Sequence, residues 1–226
     1  MVSVPYLIGM LIASPNWMHI VLFIAWFFLY LSSYPMLQAF KKKSKRETMI
    51  KWSVGYGAIA LVFLLPSILY LPQLLYFALP IAGLLLINIW HAKHKRERAL
   101  MNDLCAIISF SLSGAAAYCM GGGQFDRTMV IIVVLNVLYF MGTAIFVKSI
   151  FRERTNKRWL WYAWSYHVLL LPVPWLLGYP LLILPFLFPL VRTFIFGGRA
   201  LRPMKAGILE IVGSVQFLLL TVYIFS

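Results

Sequence analysis

Acidic residues are scarce in this 226-residue chain, which has six aspartates and glutamates against twenty lysines and arginines. Charged residues of either sign make up only 12% of the sequence, whereas hydrophobic residues make up 62%. Soluble globular domains have about a quarter of their residues charged. The low share here excludes a soluble globule, so the sequence predicts an integral membrane protein.

Cysteine and histidine are also rare, with two and four residues respectively. Cys105 and Cys119 fall in one predicted helix and lie about 21 Å apart along its axis, too far for a disulfide. The histidines lack metal-ligand spacing with thiols or carboxylates, and no P-loop or dinucleotide-binding signature occurs. We therefore expect no metal or nucleotide cofactor.

Long apolar runs are the most abundant feature of the chain. About 20 apolar residues in helical conformation cross the hydrocarbon core of a bilayer, and a helix satisfies its own backbone polar groups there. The sequence predicts an all-α membrane protein that forms a single polytopic domain over residues 1–226. We expect about nine helices, the first of them truncated, at 2–14, 17–39, 51–70, 73–91, 101–120, 128–147, 159–177, 179–196 and 206–225.

Basic residues gather in every second connection between these segments. Nineteen of the twenty lysines and arginines lie in 41–51, 91–98, 148–158 and 192–205, and only Arg127 lies in an intervening connection. Because cytoplasmic loops are enriched in lysine and arginine, the N-terminus is predicted to be cytoplasmic and the C-terminus outside. Topology thus accounts for the net charge of +14, and no nucleic-acid partner is needed.

Glu210 is the clearest polar residue inside a predicted span, about one turn into the last helix. Ionisable groups inside a membrane usually face a cavity or pair with a partner. Arg192 and Arg202 are the nearest candidate partners in sequence. Two interpretations remain open, a structural ion pair between the last two helices and a role at a ligand pocket.

A second polar group lies around the connection between the fourth and fifth helices. Asn88 and His91 are i,i+3 neighbours at the end of the fourth helix, and Asn102 and Asp103 begin the fifth. An Asn or Asp at a helix start is typical of an N-cap. Capping explains one of these two residues and leaves its neighbour, His91 and Arg98 unexplained.

Further polar residues approach the same predicted membrane face. Lys148 and Arg152 are i,i+4 neighbours, His167 lies two turns into the seventh helix, and Tyr30, Ser33, Tyr34 and Gln38 form a stripe leading to Lys41. Either a cytoplasm-facing cavity or diffuse clusters on anionic headgroups would account for this pattern. The candidate ligand-binding residues are Asn88, His91, Arg98, Asn102, Asp103, Lys148, Arg152, His167, Arg192, Arg202 and Glu210.

The predicted layout of nine helices, with long basic loops after the second and sixth, resembles the UbiA-type membrane prenyltransferases. The resemblance implies a helical bundle around a central pocket. Those enzymes carry aspartates in both loops, because Mg²⁺ bridges carboxylates to a prenyl diphosphate. The corresponding segments here, "SSYPMLQAFKKKSKRET" and "FVKSIFRERTNKRW", contain no aspartate, which argues against metal-dependent diphosphate chemistry.

A resemblance over almost the whole chain is to the YwiC-like family of bacterial inner-membrane proteins. It rests on "YLSSYPMLQAFKKK", "HAKHKRERALMNDLCAIISF", "FVKSIFRERTNKR" and "LRPMKAGILEIVGSVQF". The resemblance implies a bacterial cytoplasmic membrane and a family-wide role for Arg98, Asn102, Asp103, Arg152, His167, Arg202 and Glu210. Family members usually begin with a His-Gly-Ala-Trp segment, so a start at "MVSVPYLIGM" leads us to expect a polar contribution upstream of Met1.

Two functions fit these features. In the first, the protein binds an anionic or isoprenoid-like lipid or metabolite in a cytoplasm-facing cavity, with arginine pairing bidentately to phosphate or carboxylate. In the second, it is a divergent UbiA-like prenyltransferase or a small-anion transporter, and Asp103 or Glu210 with His91 or His167 supplies acid–base chemistry. The bilayer and such a lipid are the expected partners, and catalytic activity is left open.

Overall fold

The computed structural model describes residues 2–40 and 45–225, which are helical almost throughout and contain no strand. Single 3-10 turns at Pro72–Leu74 and Pro180–Leu182 precede the fourth and ninth helices. The helices are α1 (Ser3–Ile12), α2 (Met18–Ala39), α3 (Arg46–Tyr70), α4 (Leu75–Lys93), α5 (Leu100–Met120), α6 (Arg127–Phe151), α7 (Lys157–Leu169), α8 (Val173–Leu176), α9 (Ile183–Phe196) and α10 (Pro203–Phe225).

Six of these helices are long and apolar enough to cross a membrane. They are α2, α3, α4 with its preceding turn, α5, α6 and α10. The segments Ser3–Ile12 and Pro180–Phe196 are apolar but shorter. The prediction of an all-α membrane protein is confirmed at this level, since every predicted segment contains helix, whereas the count of nine spans stays a prediction.

One predicted segment, 159–177, is not a continuous helix, and that prediction is wrong. α7 ends at Leu169, and only the four-residue α8 follows after a turn. Pro172 cannot donate a backbone hydrogen bond, and it disfavours helical geometry at Leu171. The same proline serves as the N-cap of α8 and Pro174 lies in its first turn, where a missing N–H costs nothing.

The described helices group into two compact units, with the boundary inside α6. The N-terminal unit covers Val2–Val133, and the C-terminal unit runs from Val134 onward. The prediction of one domain over 1–226 stays a prediction, and each unit is described on its own.

In the N-terminal unit, α1 packs on α5, α2 on α3, and α4 on α5. The contact between α1 and α5 is a backbone contact at two glycines. A Cβ atom on Gly114 would lie 2.6 Å from the Pro5 carbonyl oxygen, and one on Gly9 would collide with the carbonyl oxygen of Gly114. Small residues allow such close helix approach in membranes.

A hydrogen-bonded network around His19 joins α1, α2 and α5. The Tyr6 hydroxyl donates to the His19 carbonyl oxygen at 2.6 Å, and His19 Nε2 lies 2.9 Å from the Ala117 carbonyl oxygen. The Asn16 amide donates to the Met120 carbonyl oxygen at 2.9 Å. Cys119 lies in the same core, and both cysteines are in α5 and free, which confirms the prediction that they do not pair.

The C-terminal unit has an aromatic core around Phe217 of α10. The rings of Tyr139 and Phe217 stack with their centroids 3.9 Å apart, and Phe140 and Phe186 pack around them. α9 packs against both α7 and α10. The Trp164 indole of α7 donates to the Thr193 carbonyl oxygen of α9 at 3.3 Å. This bond helps to fix α9, which carries Arg192.

Candidate functional site

The predicted site residues divide between the two units. Those of the N-terminal unit are Asn88, His91, Arg98, Asn102 and Asp103. Those of the C-terminal unit are Lys148, Arg152, His167, Arg192, Arg202 and Glu210. The expectation that both groups line one pocket stays a prediction, and the geometry of each group is given separately.

The N-terminal unit contains an apolar cavity of about 280 Å³. Side chains of α1 to α5 line it, with Tyr6, Leu22, Ile68, Ala82 and Ala116 among them. Its lining is hydrocarbon apart from the Tyr6 and Ser113 hydroxyls and the Trp26 indole. The Tyr6 and Ser113 hydroxyls and the Trp26 indole already donate to backbone carbonyl oxygens, so this cavity suits an apolar chain.

A second cavity of about 330 Å³ adjoins the first. The two share the lining residues Trp26, Leu29, Ile81 and Leu85. The second cavity also has a polar end formed by Tyr30, Ser33, Tyr34, Asn88, Asn102 and Ser109. We call the two cavities together the amphipathic groove, because one part is apolar and the other ends in amides and hydroxyls.

Two of the predicted residues, Asn88 and Asn102, meet at this polar end. Asn88 Oδ1 is buried and has no hydrogen-bond partner among the described residues. The Asn102 amide donates to the Glu97 carbonyl oxygen at 3.0 Å. Asn88 Oδ1 is thus a buried acceptor of a residue that lines the polar end, and its hydrogen-bonding capacity is unused among the described residues.

The remaining residues of this group do not line the groove. His91 is buried, and its Nδ1 lies 3.0 Å from the Ile87 carbonyl oxygen one turn earlier. The capping interpretation is wrong, because α5 starts after Ala99, whose side chain makes no capping bond. Asp103 lies in the first turn of α5 and favours the positive end of the helix dipole.

Three residues of the polar stripe on α2 lie in the lining of the groove. Tyr30, Ser33 and Tyr34 line the polar end, whereas Gln38 does not. Lys41 lies outside the described residues. Tyr30 and Tyr34 also border a third cavity of about 420 Å³, between α2 and α3.

In the C-terminal unit, Glu210 and Arg192 form an ion pair between α10 and α9. Arg192 Nη1 lies 2.5 Å from Glu210 Oε1. Arg192 is 2% exposed, and its guanidinium lies over the Phe146 ring, 4.2 Å from the centroid. The predicted pairing of Glu210 is confirmed with Arg192, and Arg202, the other candidate, is exposed.

Among the residues that the structure describes, several buried polar atoms near this pair have no hydrogen-bond partner within ordinary bond geometry. They are Arg192 Nε and Nη2, Glu210 Oε2, the Thr143 hydroxyl and the Tyr139 hydroxyl. Thr143 lies beside the Glu210 carboxylate, and Tyr139 lies close to both charges. The sequence analysis missed Tyr139 and Thr143, although their i,i+4 spacing on α6 places them on one helix face.

His167 adjoins this cluster through α9. Its Nδ1 lies 2.8 Å from the Ala163 carbonyl oxygen, which can only accept, so Nδ1 carries a proton. Its Nε2 lies 3.3 Å from the hydroxyl of Thr193, the residue that follows Arg192 in the sequence. Lys148 is buried, whereas Arg152 is exposed. The structure thus brings His167, Arg192 and Glu210 into one region.

Among the described residues, no group of three or more His, Cys, Asp or Glu side chains could hold a metal ion.

Comparisons with known proteins agree with the resemblance seen in the sequence. The profile described as "YwiC-like protein" matches residues 1–118. An uncharacterized protein of Haemophilus influenzae is 38% identical over 223 residues, covering 98% of this chain and 93% of the relative. The uncharacterized protein YwiC of Bacillus subtilis is 36% identical over 218 residues, covering 96% and 91% respectively. No solved structure matches. On the strength of this full-length identity, the chain belongs to the YwiC-like family.

Proposed function

We propose that the protein binds an amphiphilic lipid, anionic or isoprenoid-like, in the amphipathic groove of its N-terminal unit. The observation that carries this proposal is the change in lining along the groove, from hydrocarbon at Ile68 and Ala82 to amides and hydroxyls at Asn88 and Tyr34. An amphiphile has the same division between tail and headgroup.

The size of the groove supports a molecule of this kind. Its lining on α2 runs from Leu22 to Leu37, a distance of about 22 Å along a helix axis. Small-molecule sites occupy about 300 to 1,000 Å³, a range that the two adjoining cavities of about 280 and 330 Å³ reach together. An extended chain between α2 and α4 would fill both.

The charge near the polar end supports an anionic headgroup. Lys93, Lys95, Arg96 and Arg98 lie between Asn88 and Asn102 in the chain and are exposed. Exposed cations attract anionic headgroups by about 1 kcal/mol each near a membrane surface. In this proposal Asn88 Oδ1 accepts a hydrogen bond from a hydroxyl or amine of the headgroup, and the four exposed cations attract its negative charge.

The proposal also covers the membrane in which the protein lies and its orientation there. We place the protein in a bacterial cytoplasmic membrane, with its basic connections and the polar end of the groove towards the cytoplasm. A UbiA-like arrangement of the helices remains a hypothesis that rests on the sequence layout alone, and no observation favours prenyl transfer over binding.

The test is the lipid that co-purifies with the protein. Ala82→Trp would fill the apolar cavity, whereas Leu86→Trp adds the same indole one turn later, at a side chain that is 66% exposed and lines neither cavity. We expect bound lipid, measured by mass spectrometry per mole of protein, to fall several-fold in Ala82→Trp only. Equal lipid content in wild type and both variants would identify it as bulk bilayer lipid and refute the proposal.

A further inference from the structure

The Arg192 guanidinium uses only one of its edges. Nη1 donates to Glu210 Oε1, whereas Nε and Nη2 have no hydrogen-bond partner among the described residues. Nε–H and Nη2–H point in parallel along one edge of the planar group, and this edge matches two oxygens of a carboxylate or phosphate. The donor pair best suited to an oxyanion is thus the unused one.

This edge is held in place and withdrawn from solvent. The Arg192 side chain is fully buried, and its guanidinium lies over the Phe146 ring. A buried donor without a partner costs about 1 to 3 kcal/mol, and here two such donors belong to one charged group. The Glu210 side chain is 18% exposed, so its carboxylate is the less buried member of the pair.

The charge of the cluster restricts what can bind. Arg192 and Glu210 neutralise each other, so one added monoanion would leave a net negative charge in a region shielded from water. Among the described residues, the other titratable groups that interact with the pair are Tyr139 on α6 and His167 on α7. The Tyr139 hydroxyl is neutral, and a proton added to His167 would place a second positive charge near the buried Arg192 guanidinium, which is unfavourable, so neither group supplies a compensating cation.

Protonation of Glu210 can offset the negative charge that a bound anion would add. Its Oε1 accepts from Arg192, while Oε2 is buried without a hydrogen-bond partner and lies beside the Thr143 hydroxyl. A proton on Oε2 would remove the carboxylate charge and could be donated to the Thr143 oxygen. The cluster would then carry one cation and could accept one anion.

We propose that the Arg192–Glu210 cluster is a second binding site, which takes a small monoanionic oxyanion together with one proton. Two oxygens of the anion accept hydrogen bonds from Arg192 Nε and Nη2, and a proton from solvent goes to Glu210 Oε2. The net charge is zero before and after binding. This site lies in the C-terminal unit and does not depend on the lipid groove proposed above.

The test is calorimetric titration of the purified full-length protein with benzoate and with inorganic phosphate. Benzamide, which has the shape of benzoate without its charge, is the matched ligand control. Titrations in buffers of different ionisation enthalpy count the protons exchanged, and we expect uptake of about one proton per anion bound. Binding of benzoate alone or phosphate alone supports the site and identifies the class of anion.

Three variants locate the site. Arg192→Lys keeps the charge and loses the paired edge, so we expect at least about a tenfold loss of affinity, whereas Arg202→Lys at an exposed arginine should change nothing. Glu210→Gln keeps an oxygen towards Nη1 and carries no titratable proton. It should bind the anion without proton uptake.

Four results would overturn the proposal: no binding of either anion, benzamide binding as tightly as benzoate, no proton uptake by wild type, or full affinity in Arg192→Lys. If Arg192→Lys or Glu210→Gln fails to fold, the number of protons that the wild-type protein takes up on binding still tests the proposal. Loss of lipid in the groove variant Ala82→Trp has no bearing on these results, so the two proposals fail separately.

Discussion

The polar cluster around His19 in the N-terminal unit and the one around Arg192 in the C-terminal unit are held by different interactions. In the N-terminal unit, Tyr6, Asn16 and His19 bond to backbone carbonyl oxygens. In the C-terminal unit, Arg192 and Glu210 bond to each other and leave further atoms without partners. A neutral side chain on a carbonyl oxygen needs no counter-charge, whereas each member of a buried ion pair depends on the other. We therefore expect the Arg192–Glu210 pair to be more sensitive to substitution than the His19 network, and its unused donors and acceptors to be open to a ligand.

The largest expected effect is in the C-terminal unit, at Arg192→Met. This change leaves the Glu210 carboxylate without its cation, and breaking a buried pair costs about 3 to 5 kcal/mol. Thermal unfolding of the detergent-solubilised protein should show a large loss of stability.

Two controls sharpen this expectation. Arg202→Met, at an exposed arginine, should leave the melting temperature unchanged. The double variant Arg192→Met/Glu210→Met should recover much of the loss, because no unpaired charge remains. If the double variant is no more stable than the single one, packing around Arg192 and not charge accounts for the effect.

The next effect is in the N-terminal unit, at Gly9→Ala. The added methyl group would meet the backbone of Gly114, and overpacking of this kind costs about 1 to 3 kcal/mol. Gly83→Ala is the matched control, since a Cβ atom there meets nothing within 4 Å. The control should gain about 0.5 to 1 kcal/mol from reduced backbone freedom. Equal melting temperatures for Gly9→Ala and wild type would show that α1 is free to move away from α5.

A smaller loss is expected at His19→Leu, which removes the contacts of the imidazole with Ala117 and Asn16. We expect about 0.5 to 1.5 kcal/mol, because the Ala117 carbonyl oxygen loses one of its two hydrogen bonds and keeps the one from the Gly121 N–H. His94→Leu changes an exposed histidine and should have no measurable effect. A loss as large as that of Arg192→Met would remove the contrast between the two units.

The smallest effect on stability is expected from single cysteines placed for labelling, in a background without Cys105 and Cys119. Thr155→Cys and Gln124→Cys both change exposed residues. If basic loops are cytoplasmic, an impermeant thiol reagent should label residue 124 in intact cells and leave residue 155 unlabelled. The reverse labelling pattern would invert the proposed topology and place the polar end of the groove outside.

Helix positions were largely predictable from the sequence. An apolar run inside a membrane has to form a helix, because only then do its backbone N–H and C=O groups bond to each other. The start of α2 at Met18 and the end of α5 at Met120 lie within one residue of expectation. The break after Leu169 was missed, since Trp and Leu continue the apolar run on both sides of Pro172. Hydropathy does not reflect the backbone N–H that proline lacks, so it does not predict where a proline ends a helix.

Site contacts were predictable only where a charge inside a span required a partner, and even there Arg192 and Arg202 both remained candidates. Glu210 inside a span required a cation, and Arg192 provides it. The groove depends on which faces of α2, α4 and α5 meet, and sequence spacing gives faces within a helix but not between helices. That is why Asn88 and Asn102 line the cavity while His91 and Asp103, equally polar and close in sequence, do not.

The glycine contact between α1 and α5 has a consequence for the order of biosynthesis. Gly9 lies near the start of the chain, and its partner Gly114 is made about 100 residues later, after roughly 5 to 20 s at ribosomal rates of about 5 to 20 residues per second. α1 has only ten residues, too few to cross a bilayer by itself. We therefore expect α1 to stay at the membrane surface or beside the insertion machinery until α5 emerges, so a helix that is translated before α5 reaches its final position only after it.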